Sequence, residues 1–185
     1  IDPFDQPDVE DAKVKTRELV DAYEKSGSLA PETAFNEDGE LAFFAPGDHG
    51  FAPTDPVEIL RTHFASLEAS NYFGFLAYIE RNDEHEAAIA RMREALVKAK
   101  GVATVAGFGP RFLHSTGQAY KGGPKTGVFL EITRTPDPDV AVPGHKASFG
   151  TVQLAQARGD LDVLAERGQR VLRVQHRFAE LQPLQ

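Results

Sequence analysis

The sequence predicts an α/β fold: a compact unit of about five strands in a mixed sheet with flanking helices, preceded by an N-terminal amphipathic helix. Three observations predict it. Apolar residues recur at three- and four-residue steps in several long runs. Short, nearly continuous apolar runs of strand length alternate with those helical runs. Gly, Pro, Asn and Asp cluster at the junctions between them.

The elements follow in order. Asp5 suits a helix N-cap, and Pro7 and Asp8 suit a first turn, where unpaired N–H groups and the positive dipole end favour Pro and acids. Val9, Ala12, Thr16, Leu19, Val20 and Tyr23 share one face of a helix that reaches Ser26 and stops at Gly27. Residues 28–39 are polar and turn-rich and read as a linker, which divides the chain into a terminal helix 1–27, a linker 28–39 and an α/β domain 40–185. A short strand is expected at 41–45, bounded by Gly39 and Pro46-Gly47, then a loop with His49. Asp55-Pro56-Val57-Glu58 is a capping box opening a helix whose buried face is Val57, Leu60, Phe64 and Leu67.

The run 72–79 suits a strand covered on both faces. Asn82 or Asp83 opens a helix to Lys100, stopped by Gly101. Strands are expected at 102–106 and 128–133, with a Gly-rich segment 107–127 between them. Residues 135–144 are Pro-rich, with a short extended piece at 140–142; Asp137 and Asp139 there read as solvated turn residues. Ser148 caps a helix to Ala157, Asp160 starts a second short helix ending at Gly168, and 170–176 forms the final strand.

Composition limits the function. With 185 residues, 41% of them apolar, the chain can build one real core and has little room for a second. It has no cysteine, so disulfides and thiolate metal sites are excluded. It has no apolar run near membrane-spanning length, so no membrane partner is expected, and a cytoplasmic setting fits. A net charge of −8 argues against a broad nucleic-acid surface. The charge is unevenly spread: Val102 to Leu130 contains no Asp or Glu, a gap expected by chance on the order of once in a hundred windows.

That acid-free window holds Arg111, His114, Lys121 and Lys125, the candidate anion-binding residues. Glycine exposes backbone N–H groups that can cradle an anion, and the cations would add charge. The segment is no nucleotide-binding P-loop, because it lacks the Gly-x4-Gly-Lys-Ser/Thr order. A structured loop whose glycines serve turns explains it equally well. His114 beside Ser115 is no hydrolase pair, since adjacent residues rarely present nucleophile and base to each other. The six histidines lack metal-ligand spacing, and His63 and His85 read as helix-surface or cap residues. No metal or cofactor is expected.

The opening run carries the most chemistry. Lys13 lies one turn beyond Val9 beside the apolar stripe, and Gln6 precedes the first turn of the same helix. An ammonium and a carboxamide there suit a sugar phosphate, because both can bond hydroxyl or phosphoryl oxygens. From spacing alone, a solvated lysine paired with Glu10 is the simpler account.

Phe4, Asp5, Gln6, Val9, Glu10 and Lys13 together resemble the C-terminal signature of phosphoglucose isomerases, Phe/Tyr-Asp/Asn-Gln-x-Gly-Val-Glu-x-x-Lys. Asp8 stands where that family has glycine. The runs Phe108–Gln118 and Lys121–Gly127 are similar to the tail of bifunctional transaldolase/glucose-6-phosphate isomerase proteins, which extends the resemblance over most of the chain. It implies that Gln6 contacts a sugar-phosphate substrate and that Lys13 is an active-site lysine assisting ring opening and steadying charge. It further implies that the first helix belongs to an isomerase core, that an isomerase domain lies upstream in the same parent chain, and that this chain, which opens on Ile1, is a C-terminal piece without turnover of its own. The alternative is a non-catalytic anion-binding or assembly module, docked on that core or pairing as a homo-oligomer.

Overall fold

The computed structural model describes residues 6–47, 49–52, 54–113, 116–136 and 138–177. Strands are β1 (Asn36–Asp38), β2 (Leu41–Phe44), β3 (Tyr72–Tyr78), β4 (Ala103–Phe108), β5 (Gly127–Arg134) and β6 (Arg170–His176). Helices are α1 (Pro7–Ser26), α2 (Pro56–Ala65), α3 (Asp83–Lys100), α4 (Gly117–Gly122) and α5 (Phe149–Glu166), with a 3₁₀ turn at Arg111–Leu113. The strands form one sheet in the order β1-β2-β6-β5-β3-β4. β4, β3, β5 and β6 are mutually parallel, and β2 and β1 add antiparallel at the β6 side. The α/β fold with a mixed sheet is therefore as expected, with one more strand.

Alternate residues of the parallel strands point to opposite faces. Phe73, Phe75, Val128, Leu130 and Leu172 pack with Ile59 of α2 and Ile89 and Leu96 of α3. Leu76, Tyr78, Phe129 and Val171 pack with Ala157, Leu161 and Leu164 of α5. Helices thus cover both faces, which explains why β3 and β5 read as unbroken apolar runs.

Local signals set the helix ends. The Asp55 carboxylate accepts from the N–H groups of Val57 and Glu58, the Asn82 side chain from His85, and the Ser148 hydroxyl from Thr151. Gly27, at φ 80°, takes the left-handed conformation that ends α1.

Four expectations need correction. The first is the division at residue 27. α1 is no separate unit: it packs along α5 and α4, burying Val9 and Ala12. The second is the linker 28–39. It contains β1, and it is pinned where Glu32 bonds Arg173 at 2.7 Å and Ala30 O accepts from Arg158 at 2.8 Å. The third is the pair of short helices at 148–168, which is one helix. Gly159 is no break but a point of close approach: a Cβ there would sit 3.0 Å from Ala12 O and from Thr16 Oγ1 of α1. The fourth concerns segment 107–127, which folds into the 3₁₀ turn and α4. The extended piece at 140–142 contributes a single bridge, Ala141 to Ser148.

Candidate functional site

Gln6 is the N-cap of α1, and its carbonyl accepts from Glu10 N at 3.0 Å while its side chain makes no capping bond. Lys13 pairs with Glu10 of the same helix at 2.6 Å and stays 41% exposed. At 100° per residue, Gln6, Glu10 and Lys13 lie on one flank of α1. Asp8, Asp11 and Lys15 lie on the other, where Arg167 meets both aspartates and Lys15 meets Glu166 at 2.8 Å. Asp8 also exchanges two hydrogen bonds with the Gln118 side chain of α4. The residue that departs from the isomerase signature is therefore the one that ties α1 to α4 and α5. The signature's Phe4 and Asp5 lie outside the described residues.

The acid-free segment does not gather its cations. Arg111 is exposed on the 3₁₀ turn at the C-terminal end of β4, and His114 lies outside the described residues. Lys125 is exposed just before β5, at the opposite end of the parallel strands, about 20 Å away by strand length. Lys121 is corrected outright. It is 2% exposed and its ammonium forms an ion pair with Asp160, itself 1% exposed. An amine committed to a buried carboxylate cannot meet an external anion.

That pair belongs to a charged layer between the sheet and α5. Asp160 Oδ2 accepts from Tyr78 Oη at 2.9 Å. The Lys121 ammonium forms its ion pair with the other carboxylate oxygen, Oδ1. Next to them, Glu131 of β5 stands opposite Arg173 of β6 in the parallel register. Arg173 is fully buried, bonds Glu32 at 2.7 Å and stacks 4.1 Å over the Phe44 ring. Glu32 also meets Arg158 at 3.1 Å. Burial holds the Glu131 carboxyl well above its usual range, with Arg173 opposing and Asp160 and Glu32 reinforcing the shift. Burial likewise raises Asp160 against the pull of Lys121, and raises Tyr78. Neither Glu131 oxygen has a hydrogen-bond partner among the described residues.

Sequence reasoning missed this layer. Its signal was a charged residue inside an apolar strand run, Glu131, and an acid placed where a helix was expected to start, Asp160. His63 is not on the helix surface, as its sequence context suggests: it is buried under Phe51 and Phe73, with Nε2 2.9 Å from Phe129 O. Burial pushes its imidazole down to about 4, so it is neutral at pH 7 and Nε2 carries the donated proton. Among the described residues no three His, Asp or Glu side chains gather as a metal site would require.

A concave surface borders β4, a cleft of 470 Å³ between α3 and the 3₁₀ turn with α4. Arg81, Arg93, Arg111, Phe108, Phe112 and Tyr120 line it, with Glu86 as its one acid. Arg81 pairs with Glu86 and lies 5.9 Å over the Phe108 ring.

No helix among the described residues is long and apolar enough to cross a membrane. No family model and no curated protein matches the chain. Among solved structures it is similar to the hypothetical protein TT0462 from Thermus thermophilus, with a TM-score of 0.52 and 20% identity over 64% of this chain. The matched part spans 32% of that protein's length, and at this identity the likeness concerns the fold alone.

Proposed function

We propose that this chain is the C-terminal part of a glucose-6-phosphate isomerase of the long form that is also found fused to transaldolase, working in the cytoplasm. The reaction interconverts glucose 6-phosphate and fructose 6-phosphate. The sugar ring opens, and a proton then moves between C1 and C2 through an enediol, with no cofactor. Lys13 supplies a positive charge and a donor beside the ring oxygens, and Gln6 holds the substrate. The catalytic base and phosphate site come from a domain upstream.

One observation carries this reading. The two signature residues sit two turns apart on the flank of α1 that its own packing leaves open, about 10 Å of helix rise from one another. The opposite flank is locked by Asp8, Asp11 and Lys15. A helix braced on one side can hold a cation steadily toward a neighbouring domain on the other.

The test is aldose–ketose interconversion by the full parent chain. Lys13→Met should lower kcat about 100-fold or more, the scale of losing one electrostatic contact to developing charge, while thermal stability stays unchanged. Normal turnover in that variant would refute the assignment. The isolated chain should show no turnover.

A second reading, an anion-binding or assembly module, rests on the acid-free run, in which Arg111 and Lys125 are both exposed.

A further inference from the structure

The two edges of the sheet are built differently. β1 is three residues long and acidic, and Glu37 is tied to Arg177 at 2.8 Å. Short, charged edges resist pairing with other chains. β4 has six residues, Ala103-Thr104-Val105-Ala106-Gly107-Phe108, with no charge and no proline, and it pairs on one side only.

Which of its backbone groups face outward follows from strand alternation. Gly109 N donates to Ala77 O at 2.7 Å, so odd positions point toward β3. Even positions then point away from the sheet. Arg93 agrees: its Nη2 donates to Thr104 O at 3.0 Å and its Nε to Thr104 Oγ1 at 3.2 Å. That guanidinium closes one end of the edge. Beyond it, the N–H and C=O of Ala106 and the N–H of Phe108 open into the arginine-lined cleft.

We propose that this edge of β4 is a docking site for an extended, carboxylate-bearing segment of a partner polypeptide, which adds as a seventh strand beside Ala106 and Phe108. Backbone groups of an added strand satisfy the open donors and acceptor, and alternate side chains fall into the flanking cleft. The cleft selects carboxylates. Arg111 lines it from within the 29-residue stretch that holds no Asp or Glu, on a chain of net charge −8, and Arg81, paired with Glu86, lines it from α3's side. Phe108, Phe112 and Tyr120 give the same segment apolar contact. A second copy of this chain does not fit as occupant, because edge-to-edge pairing of two β4 strands brings arginine cleft against arginine cleft.

The chain contains no tryptophan, so a peptide alternating glutamate and valine with one terminal tryptophan reports its own binding by fluorescence. Saturable binding is expected, weakened by salt, and absent for the matching lysine–valine peptide. Arg111→Glu should weaken it about tenfold. Ala106→Pro removes one outward donor at an edge position that tolerates proline, and should abolish it. Amide hydrogen exchange keeps the idea testable whether or not that variant folds. In the unmodified chain, the peptide should slow exchange at Ala106 and Phe108 and leave Val105 and Gly107, already paired to β3, unchanged. Absence of binding at millimolar peptide would overturn the proposal, as would binding without protection of Ala106 and Phe108. Full displacement by equimolar inorganic phosphate, or β4-dependent self-association in light scattering, would overturn it equally.

Discussion

The face of the sheet under α2 and α3 and the face under α5 are built from the same strands, yet they are held together by different physics. On β5, Leu130 points into a cluster of phenylalanines and aliphatic side chains, while the next residue, Glu131, points into charges. The first face gains from apolar area and close ring contacts such as Phe73 against Phe75 at 4.8 Å. The second buries Lys121, Asp160, Glu131 and Arg173 among Leu76, Tyr78, Phe112 and Leu164. Apolar packing tolerates rearrangement at similar volume, whereas a buried charge without its partner is heavily penalised. The α5 face should therefore be the more rigidly specified of the two, and it is the face that supports α1 and its open flank.

The sharpest way to break this contrast is to remove one member of the buried pair. Lys121→Met leaves Asp160 buried with only the Tyr78 hydroxyl, and should cost about 3–5 kcal/mol in urea unfolding. Adding Asp160→Leu should recover most of the loss, because two apolar groups replace an ion pair at little net cost. If the double variant is as unstable as the sum of the two singles, charge pairing is not what organises this layer.

The aromatic face has one polar exception, His63, and it gives that face a pH dependence. Its imidazole is lowered from 6.5 to about 4 by burial. A base whose folded value is depressed contributes stability that is full above 6.5 and lost as pH falls toward 4, since the unfolded chain then binds the extra proton. The loss over that window should approach about 3 kcal/mol, at about 1.4 kcal/mol for each tenfold difference in proton affinity. His63→Gln, which keeps a donor for Phe129 O, should flatten the curve measured by urea unfolding between those pH values. An unchanged slope in that variant would move the effect to another group.

These two faces were unequally legible in the sequence. Periodicity and apolar runs located α1, α2 and α3 and five of the strands, because burial on a regular element leaves a pattern of period 3.6 or 2. β1 was missed because three polar residues pairing at an edge leave no such pattern. The break placed between Ala157 and Asp160 in α5 had a physical cause: Gly159 and Asp160 have poor helix propensity. Tertiary contacts override it, as Gly159 admits α1 and Asp160 is spent on Lys121 and Tyr78. Lys121 shows the same limit for the site. A lysine in a glycine-rich, acid-free run looks available to an anion, and its counter-charge lies 39 positions away in the sequence. The Lys13–Glu10 pair was legible because a three-residue step on a helix brings the two side chains together.

The smallest effect decides the charge state at the centre of the layer. If Glu131 is ionised as the counter-ion of Arg173, Glu131→Gln removes a buried attraction and should cost several kcal/mol. Arg173 already has Glu32 at 2.7 Å, and Asp160 and Glu32 both oppose a further negative charge. Burial, the largest influence, also favours the neutral acid. A carboxyl raised in the folded state contributes stability that is full below its ordinary value of 4.5 and lost as pH rises above it. Glutamine mimics the neutral acid at every pH. Glu131→Gln should therefore match the parent near pH 4 and be the more stable of the two at pH 7. A variant less stable than the parent at pH 7 would show that Arg173 holds Glu131 ionised, and that the two faces differ by a complete buried ion network rather than by one pair and a neutral acid.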